Sequence, residues 1–417
     1  MINGKRLWES NDRIAHIGVD INGGISRFAW TPEYKEAVGL LSSWMKEAGM
    51  SVRLDTVGNL FGRLEGTEKG LPAVLTGSHL DTVPSGGCFD GIIGVSAALE
   101  ALRTISERGD KHRRPIEMVA FVNEEASQFL GGHFGSKAMC GMHPADHAKI
   151  TKHRYTGQTL YDAMLEFGMG LNPDDYAGSI INKNDYYAFL ELHIEQGQYL
   201  LKKNLPMAVV TSVAGIKQFY ITLNGITCHA GGMAMEDRHD TLAAAAAIVC
   251  EVERLALTSG SPTRGTVGYI ASKPAEHNIV AGQSIIPIDF REDKDDIWES
   301  LYDQLMEFVK KECEKRNLTY SVRSTIDTPP AHCHPKLIEV IEQCAANIPH
   351  LQMISYPAHD AMQLATRVPF GMIFLRSSNE GKSHCPEEYT TPEDAAIGTE
   401  VLYKSLLRIA NEDVLPI

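Results

Sequence analysis

No run of roughly 18–20 consecutive apolar residues occurs in the 417-residue chain, so no membrane-spanning helix is expected. The opening segment, MINGKRLWESNDRIAHIG, has no apolar signal core, and a cytoplasmic protein is expected. Positive charge is in deficit, with a formal net charge of -14. That balance argues against nucleic acid and anionic membranes as partners, and an anionic substrate would need local arginines. Cysteine is sparse and unpatterned: Cys88, Cys140, Cys228, Cys250, Cys313, Cys333, Cys344 and Cys385 include no C-x-x-C pair. They read as reduced thiols, mostly small buried hydrophobes. There is no internal repeat and no low-complexity tract. The chain also lacks H-E-x-x-H, G-x-S-x-G, a Walker loop and G-x-G-x-x-G, which removes the commonest zincin, serine-hydrolase and nucleotide-binding readings.

What is present is a chain too long for one hydrophobic core. Residues 71–78, 116–123, 187–194 and 207–213 read as buried strands, with a helix over 92–106. Strands alternating with helices predict an α/β layer fold with a mostly parallel sheet. The middle changes character. Residues 217–224 alternate like a half-exposed strand, 240–257 form an Ala-rich helix, and 266–271 and 284–290 read as strands. An amphipathic helix over 296–315 and an alternating strand over 318–326 complete a β-α-β-β-α-β order, the ferredoxin-like split unit. Thr328-Pro329-Pro330 marks a hinge, after which a helix over 336–346, a strand over 371–376 and a helix over 392–411 resume the α/β pattern. The expected organisation is a domain of residues 1–213 and 329–417 with a second domain, 214–328, inserted.

Chemistry-bearing residues gather where buried strands end, which is where open α/β sheets bind ligands. TGSHLDT places His79 after a strand, with Asp81 spaced to orient the imidazole through its carboxylate. GGCFDGIIG sets Asp90 among glycines ahead of a helix. FVNEEASQF ends a strand with Glu124 and Glu125, which point to opposite sides of an extended chain. ELHIEQGQ carries His193, Glu195 and Gln196, and GKSHCPEEY carries His384. Taken singly, each has a plain alternative: a polar loop, an Asx turn, a solvated strand end, a satisfied histidine. Together, three histidines and two or three carboxylates suit two ions ligated by nitrogen and oxygen.

These segments, with HAG and SHCPEE in the same order, resemble the amidase/hydantoinase/carbamoylase group of dinuclear-zinc metallopeptidase relatives. That group contains N-carbamoyl-L-amino acid hydrolases, allantoate amidohydrolases and ureidoglycolate amidohydrolases, and the likeness runs from GGISRF near Gly23 to the final helix. The resemblance implies a zinc-peptidase-like catalytic domain with an inserted lid and dimerisation domain. It implies Asp90 as a bridging carboxylate, His79 and His193 on one metal, Glu125 and His384 on the second, and Glu124 as general base. Zinc is implied, and manganese or cobalt would suit the same ligands. From the inserted domain it implies His229 as an oxyanion-stabilising residue, Arg238 in the same motif as a substrate-binding residue, and Asn278 and Arg291 on a substrate carboxylate. An ion pair of Arg291 with Asp289 or Glu292 is the plain alternative. Gln196, His359 and Arg376 match further cleft positions, and a homodimer is expected.

Two departures from the group's pattern touch the substrate pocket: Gly232-Met233-Ala234-Met235 replaces Thr-Thr-Pro-Met, and Ser355-Tyr356-Pro357 replaces Ser-Gly-Ala. The expected reaction is cleavage of the terminal ureido bond of an N-carbamoyl-L-amino acid, a small carboxylate-bearing substrate. Ureidoglycolate or allantoate hydrolysis is the alternative, with dipeptide cleavage behind it. A non-catalytic binding protein is the reading from another class, and the complete set of costly buried acids weighs against it.

Overall fold

Four apolar runs form the centre of the main sheet: Ala73–His79, Ile116–Phe121, Tyr186–Ile194 and Phe370–Leu375, each buried along its length. Strands covered on both faces need no polar alternation, which explains their continuous hydrophobicity. The fold is that of a computed structural model, in which residues 1–415 are described. The four strands run parallel in the order 116–121, 73–79, 186–194, 370–375. Their register sets His79 opposite Phe121 and His193 opposite Phe374, so their carboxyl ends finish side by side.

The sheet is mixed at its margins. Ser51–Leu54 and Leu60–Leu64 pair antiparallel with each other, and the second pairs antiparallel with Ile116–Phe121. Met207–Val213 runs antiparallel to Phe370–Leu375. These edge directions were not legible in the apolar runs, because pairing sense depends on the connections and not on the strand's own residues. The helix Ile92–Arg108 packs on the sheet and ends in a left-handed cap at Gly109, whose N–H returns to the last turn.

The chain divides into two compact units. One comprises Met1–Thr211, Cys333–Met353 and the chain from His359 onward; the other comprises Ser212–His332 and Ile354–Ala358. The second therefore takes in residues 212–213, 329–332 and 354–358, which the sequence signals assign to the larger domain. Pro329-Pro330 marks a hinge by its turn chemistry, but no local signal marks the later return of five residues.

In the second unit Gly215–Asn224, Gln283–Glu292 and Thr319–Thr328 pair antiparallel, with the first in the middle. Phe219, Ile221 and Leu223 alternate with Ile286, Ile288 and Phe290 onto one face. Against it lie Thr241–Thr258, through Ala244, Ala245, Ile248, Val252 and Leu255, and Asp295–Lys315, through Leu301, Leu305 and Val309. Period-two strands and period-four helix faces share one core, the β-α-β-β-α-β order expected. The strand expected over 266–271 is broken: Arg264–Thr266 and Ala271–Lys273 pair separately with Gln283–Glu292. Four residues, 267–270, lie opposite three, 286–288, so one extra residue bulges out.

Candidate metal centre

The cluster begins with two histidines held by backbone carbonyls. His79 Nδ1 lies 3.0 Å from the Asp81 carbonyl oxygen, and His193 Nδ1 lies 3.0 Å from that of Ile194. A carbonyl only accepts, so Nδ1 carries the proton in both rings and Nε2 presents a lone pair. The Gly91 amide, 3.1 Å from His193 Nε2, donates to that lone pair. This corrects the expected role of Asp81. Its carbonyl orients His79, while its carboxylate accepts the backbone N–H groups of Glu124 at 3.0 Å and Glu125 at 3.1 Å. One residue thereby fixes both the imidazole and the pair of acids.

Asp90 is set by a residue the sequence reading did not single out. Glu388 Oε1 accepts the amides of Phe89 and Asp90 at 2.9 Å each, and Ser383 Oγ donates to Oε2 at 2.7 Å. Burial, and then the charge of Asp90, push the Glu388 carboxyl up to about 7. Gly91 follows with φ 65°, and a Cβ there would meet the His79 ring at 2.4 Å. Gly91→Ala is therefore expected to displace His79 and weaken metal binding by about 10–100-fold, the scale seen when ligand orientation is disturbed. Metal titration of the purified variant checks this, and an affinity equal to the parent's would refute it.

Around Asp90 three imidazoles converge. Oδ1 lies 3.4 Å from His79 Nε2 and 3.1 Å from His193 Nε2, whereas Oδ2 lies 3.1 Å from His384 Nε2. Glu125 Oε1 is 3.6 Å from the same His384 nitrogen, and Glu124 Oε2 is 4.0 Å from His79 Nε2. Three overlapping donor sets, each with its atoms within 4.8 Å, result: His79–Asp90–His193, His79–Glu124–Glu125 and Asp90–Glu125–His384. Lone pairs facing carboxylate oxygens at these distances repel unless a proton or a cation lies between them. With protons alone, burial opposes charge on His79, yet Glu124 and Asp90 prevail and raise its pKa well above the ordinary value. The donor set fits divalent cations, which take imidazole nitrogen and carboxylate oxygen together.

Other expected residues fall in varied places. Gln196 Nε2 reaches Asp90 Oδ2 at 2.8 Å and Ser383 Oγ at 3.3 Å, so it borders the cluster. His359 is buried, with its ring edge-on to His193 at 4.5 Å between centroids. Burial, then His193, hold its pKa well below the ordinary range. Arg376 is a correction: its fork pairs with buried Asp394 at 2.8 and 3.1 Å and with Asn204 at 3.2 Å, which makes it a structural tie. The resemblance implied a place in the cleft, but the buried acid on the last helix takes its Nε and Nη2 and Asn204 takes its Nη1. His133, also not singled out, places Nε2 2.9 Å from Glu124 Oε1. Five residues here hold left-handed backbone: Asn123 (φ 54°), Ala126 (52°), His133 (58°), Gln196 (54°) and His384 (58°).

The remaining residues belong to the second unit. His229 pairs with Ile279 in a short ribbon, its Nδ1 accepts the Gly231 amide at 3.1 Å, and the Ala230 amide donates to the Asn278 carbonyl at 2.9 Å. His229 and Asn278 are thus neighbours. Arg238 differs from its expected role as a substrate ligand: its guanidinium donates to the carbonyls of Ala230 and Met233 and braces the loop after His229. Arg291 lies 3.3 Å from Asp289 and donates to the Tyr356 carbonyl at 2.8 Å. Glu292 bonds Ser261 and Thr263 instead.

A mostly parallel α/β sheet with buried imidazole and carboxylate donors at its strand ends defines a metal-binding hydrolase. The chain belongs to peptidase family M20/M25/M40, whose pattern it matches over residues 75–408. It is 38% identical to an N-carbamoyl-L-amino-acid amidohydrolase of Pseudomonas sp. (strain NS671) over 98% of both chains. It is 35% identical to a ureidoglycolate hydrolase of Oryza sativa subsp. japonica, covering 93% of this chain and 80% of that one. Among solved structures, an amidase of the hydantoinase/carbamoylase family from Burkholderia multivorans superposes with a TM-score of 0.90 at 32% identity, over 99% of this chain and 98% of that one. The chain is an amidohydrolase of the carbamoyl-amino-acid, allantoate and ureidoglycolate type. Among the described residues no helix is long and apolar enough to cross a membrane.

Proposed function

We propose that this protein hydrolyses the terminal ureido (carbamoyl) bond of an N-carbamoyl-L-amino acid, releasing ammonia and carbon dioxide, as a cytoplasmic homodimer with two zinc ions per subunit. The observation that carries the reading is Asp90. One of its oxygens faces His79 and His193 and the other faces His384, beside Glu125, so one carboxylate serves two donor sets. Bound there, divalent cations supply Lewis acidity to a carbonyl and make water more acidic.

The chain's own residues supply the remaining steps. Glu124 takes a proton from water as the oxygen adds to the ureido carbon, then delivers it to the departing nitrogen. The C–N bond breaks, ammonia leaves, and the remaining carbamate loses carbon dioxide to give the free amino acid. His229 stabilises the developing oxyanion, a contact of the kind worth about 3–4 kcal/mol when fully formed. Arg291 and Asn278 hold the substrate carboxylate, for which a planar guanidinium fork is suited. Arg291 would have to exchange its Asp289 contact for that carboxylate. Gln196 and His359 line the reacting end.

Ureidoglycolate or allantoate is the second substrate reading, favoured by the 35% identity to the rice relative. Ammonia release by metal-loaded protein from N-carbamoyl-L-amino acids, allantoate, ureidoglycolate and two dipeptides tests both. Release from the carbamoyl amino acids, abolished by a chelator, is expected. Release from ureidoglycolate or allantoate alone would replace the substrate, and cleavage of dipeptides alone would overturn the ureido reading.

A further inference from the structure

We propose that His133 is a positioning residue for the reaction, anchoring Oε1 of Glu124 so that Oε2 faces the metal-ligand cluster. The inference rests on the reading of Glu124 as the proton acceptor. The carboxylate is bracketed: His133 Nε2 lies 2.9 Å from Oε1, and His79 Nε2 lies 4.0 Å from Oε2. Their side chains are 15% exposed for His133 and 10% for Glu124, so water does little to hold either. Among the described residues His133 Nε2 has no other polar partner, and it meets the carboxylate off the ideal N–H···O line. A small turn of Glu124 on binding substrate would complete the bond.

The backbone is built to bring these two residues together. The chain leaves Glu124, loops out and folds back on itself. The His133 N–H donates to the Glu124 carbonyl at 2.8 Å, that of Phe134 to Asn123 at 3.0 Å, and that of Gly135 to Val122 at 2.9 Å. Gly132 permits the close return, since a Cβ there would lie 2.7 Å from the Glu124 carbonyl oxygen. Lys137 Nζ donates to the Gly132 carbonyl at 2.8 Å and fixes the peptide just before the histidine. His133 itself sits at φ 58°, a conformation that non-glycine residues adopt when their surroundings require it. A glutamate free at its last torsion presents either oxygen to the reacting water; with one oxygen anchored, the other is committed to the cluster.

The left-handed backbone also makes the test clean, because glycine and asparagine tolerate it. His133→Gly removes the imidazole without straining the loop, and His133→Asn keeps an N–H donor. With the panel compound that the parent turns over fastest, His133→Gly is expected to lower kcat by about 10–100-fold with KM and bound metal unchanged. His133→Asn should recover part of the loss, and added imidazole should restore turnover to the glycine variant and not to the parent. Histidine nitrogen NMR supplies a readout apart from turnover: the signal lost in His133→Gly should move in Glu124→Gln. Full kcat in His133→Gly would overturn the proposal, as would a loss carried by KM or metal content alone. Turnover retained in Glu124→Gln would instead remove the base reading beneath it, so the two failures are distinguishable.

Discussion

Glu124→Gln is expected to slow ureido hydrolysis by about 10²–10⁴-fold, the usual contribution of a positioned proton acceptor. Bound metal and thermal stability should stay close to the parent's. Glutamine fills the same space and keeps an oxygen or amide beside His133, so the change removes basicity and little else. In the protein without cations, burial would raise the Glu124 carboxyl, but the neighbouring His133 and His79 outweigh it and hold the value at about 2. The group is therefore ionised across the neutral range and free to accept a proton. Its backbone is pinned as well, since the Asp81 carboxylate accepts its N–H at 3.0 Å. Steady-state turnover with metal analysis of the same sample decides the matter. Near-parent turnover in a fully metallated variant would require a different base.

Asp90→Asn is expected to have the second large effect: loss of bound metal together with loss of turnover at least as deep. Two donor sets share this carboxylate, so an amide in its place weakens both. The metal-loaded parent should also be the more stable form, because an ion at a thousandfold excess over its Kd adds about 4 kcal/mol to the unfolding free energy. The pH dependence of loading follows from the groups that must give up protons. In the stripped protein Glu125 is pushed well above its ordinary value, by burial first and then by Asp90 and Glu124. His79 is raised too, its acidic neighbours outweighing burial. Each proton must leave before its atom can ligate, so apparent affinity should rise from about pH 6 to 8. An affinity that fell over that range, or an Asp90→Asn variant that kept all its metal, would contradict this account of the centre.

The parts of the molecule legible in the sequence share a physical cause. Buried strands announce themselves by continuous apolar residues, and the second unit by the switch from period two to period four. His79, Asp90, Glu125, His193 and His384 were legible because they follow those strands or sit in glycine-marked loops, and the structure brings their donor atoms together. What was hidden depends on groups that meet only after folding. Glu388 stands 298 residues from Asp90, and nothing beside it in the chain signals that it caps that amide. His133 lies in a loop with no spacing motif. Asp81 was visible, but its spacing suggested a carboxylate contact where the backbone carbonyl serves. For Arg238 and Arg376 the resemblance implies contact with substrate, and the structure occupies both forks with the protein's own acceptors. An arginine's partner cannot be told from the arginine.

The left-handed residues around the centre bear on how such a protein would respond to selection for heat resistance. A non-glycine residue in that region carries a cost of order 1–3 kcal/mol, borne by the rest of the fold. Positions 133, 196 and 384 are therefore where a screen for a higher melting temperature alone would enrich glycine and asparagine, and Ala126 would give way to glycine in the same way. Most of those gains would remove the imidazoles and the amide that border Glu124 and Asp90. The hardiest survivors of such a screen would be poor enzymes, and a stabilising programme for this chain would do better to look away from its strand ends.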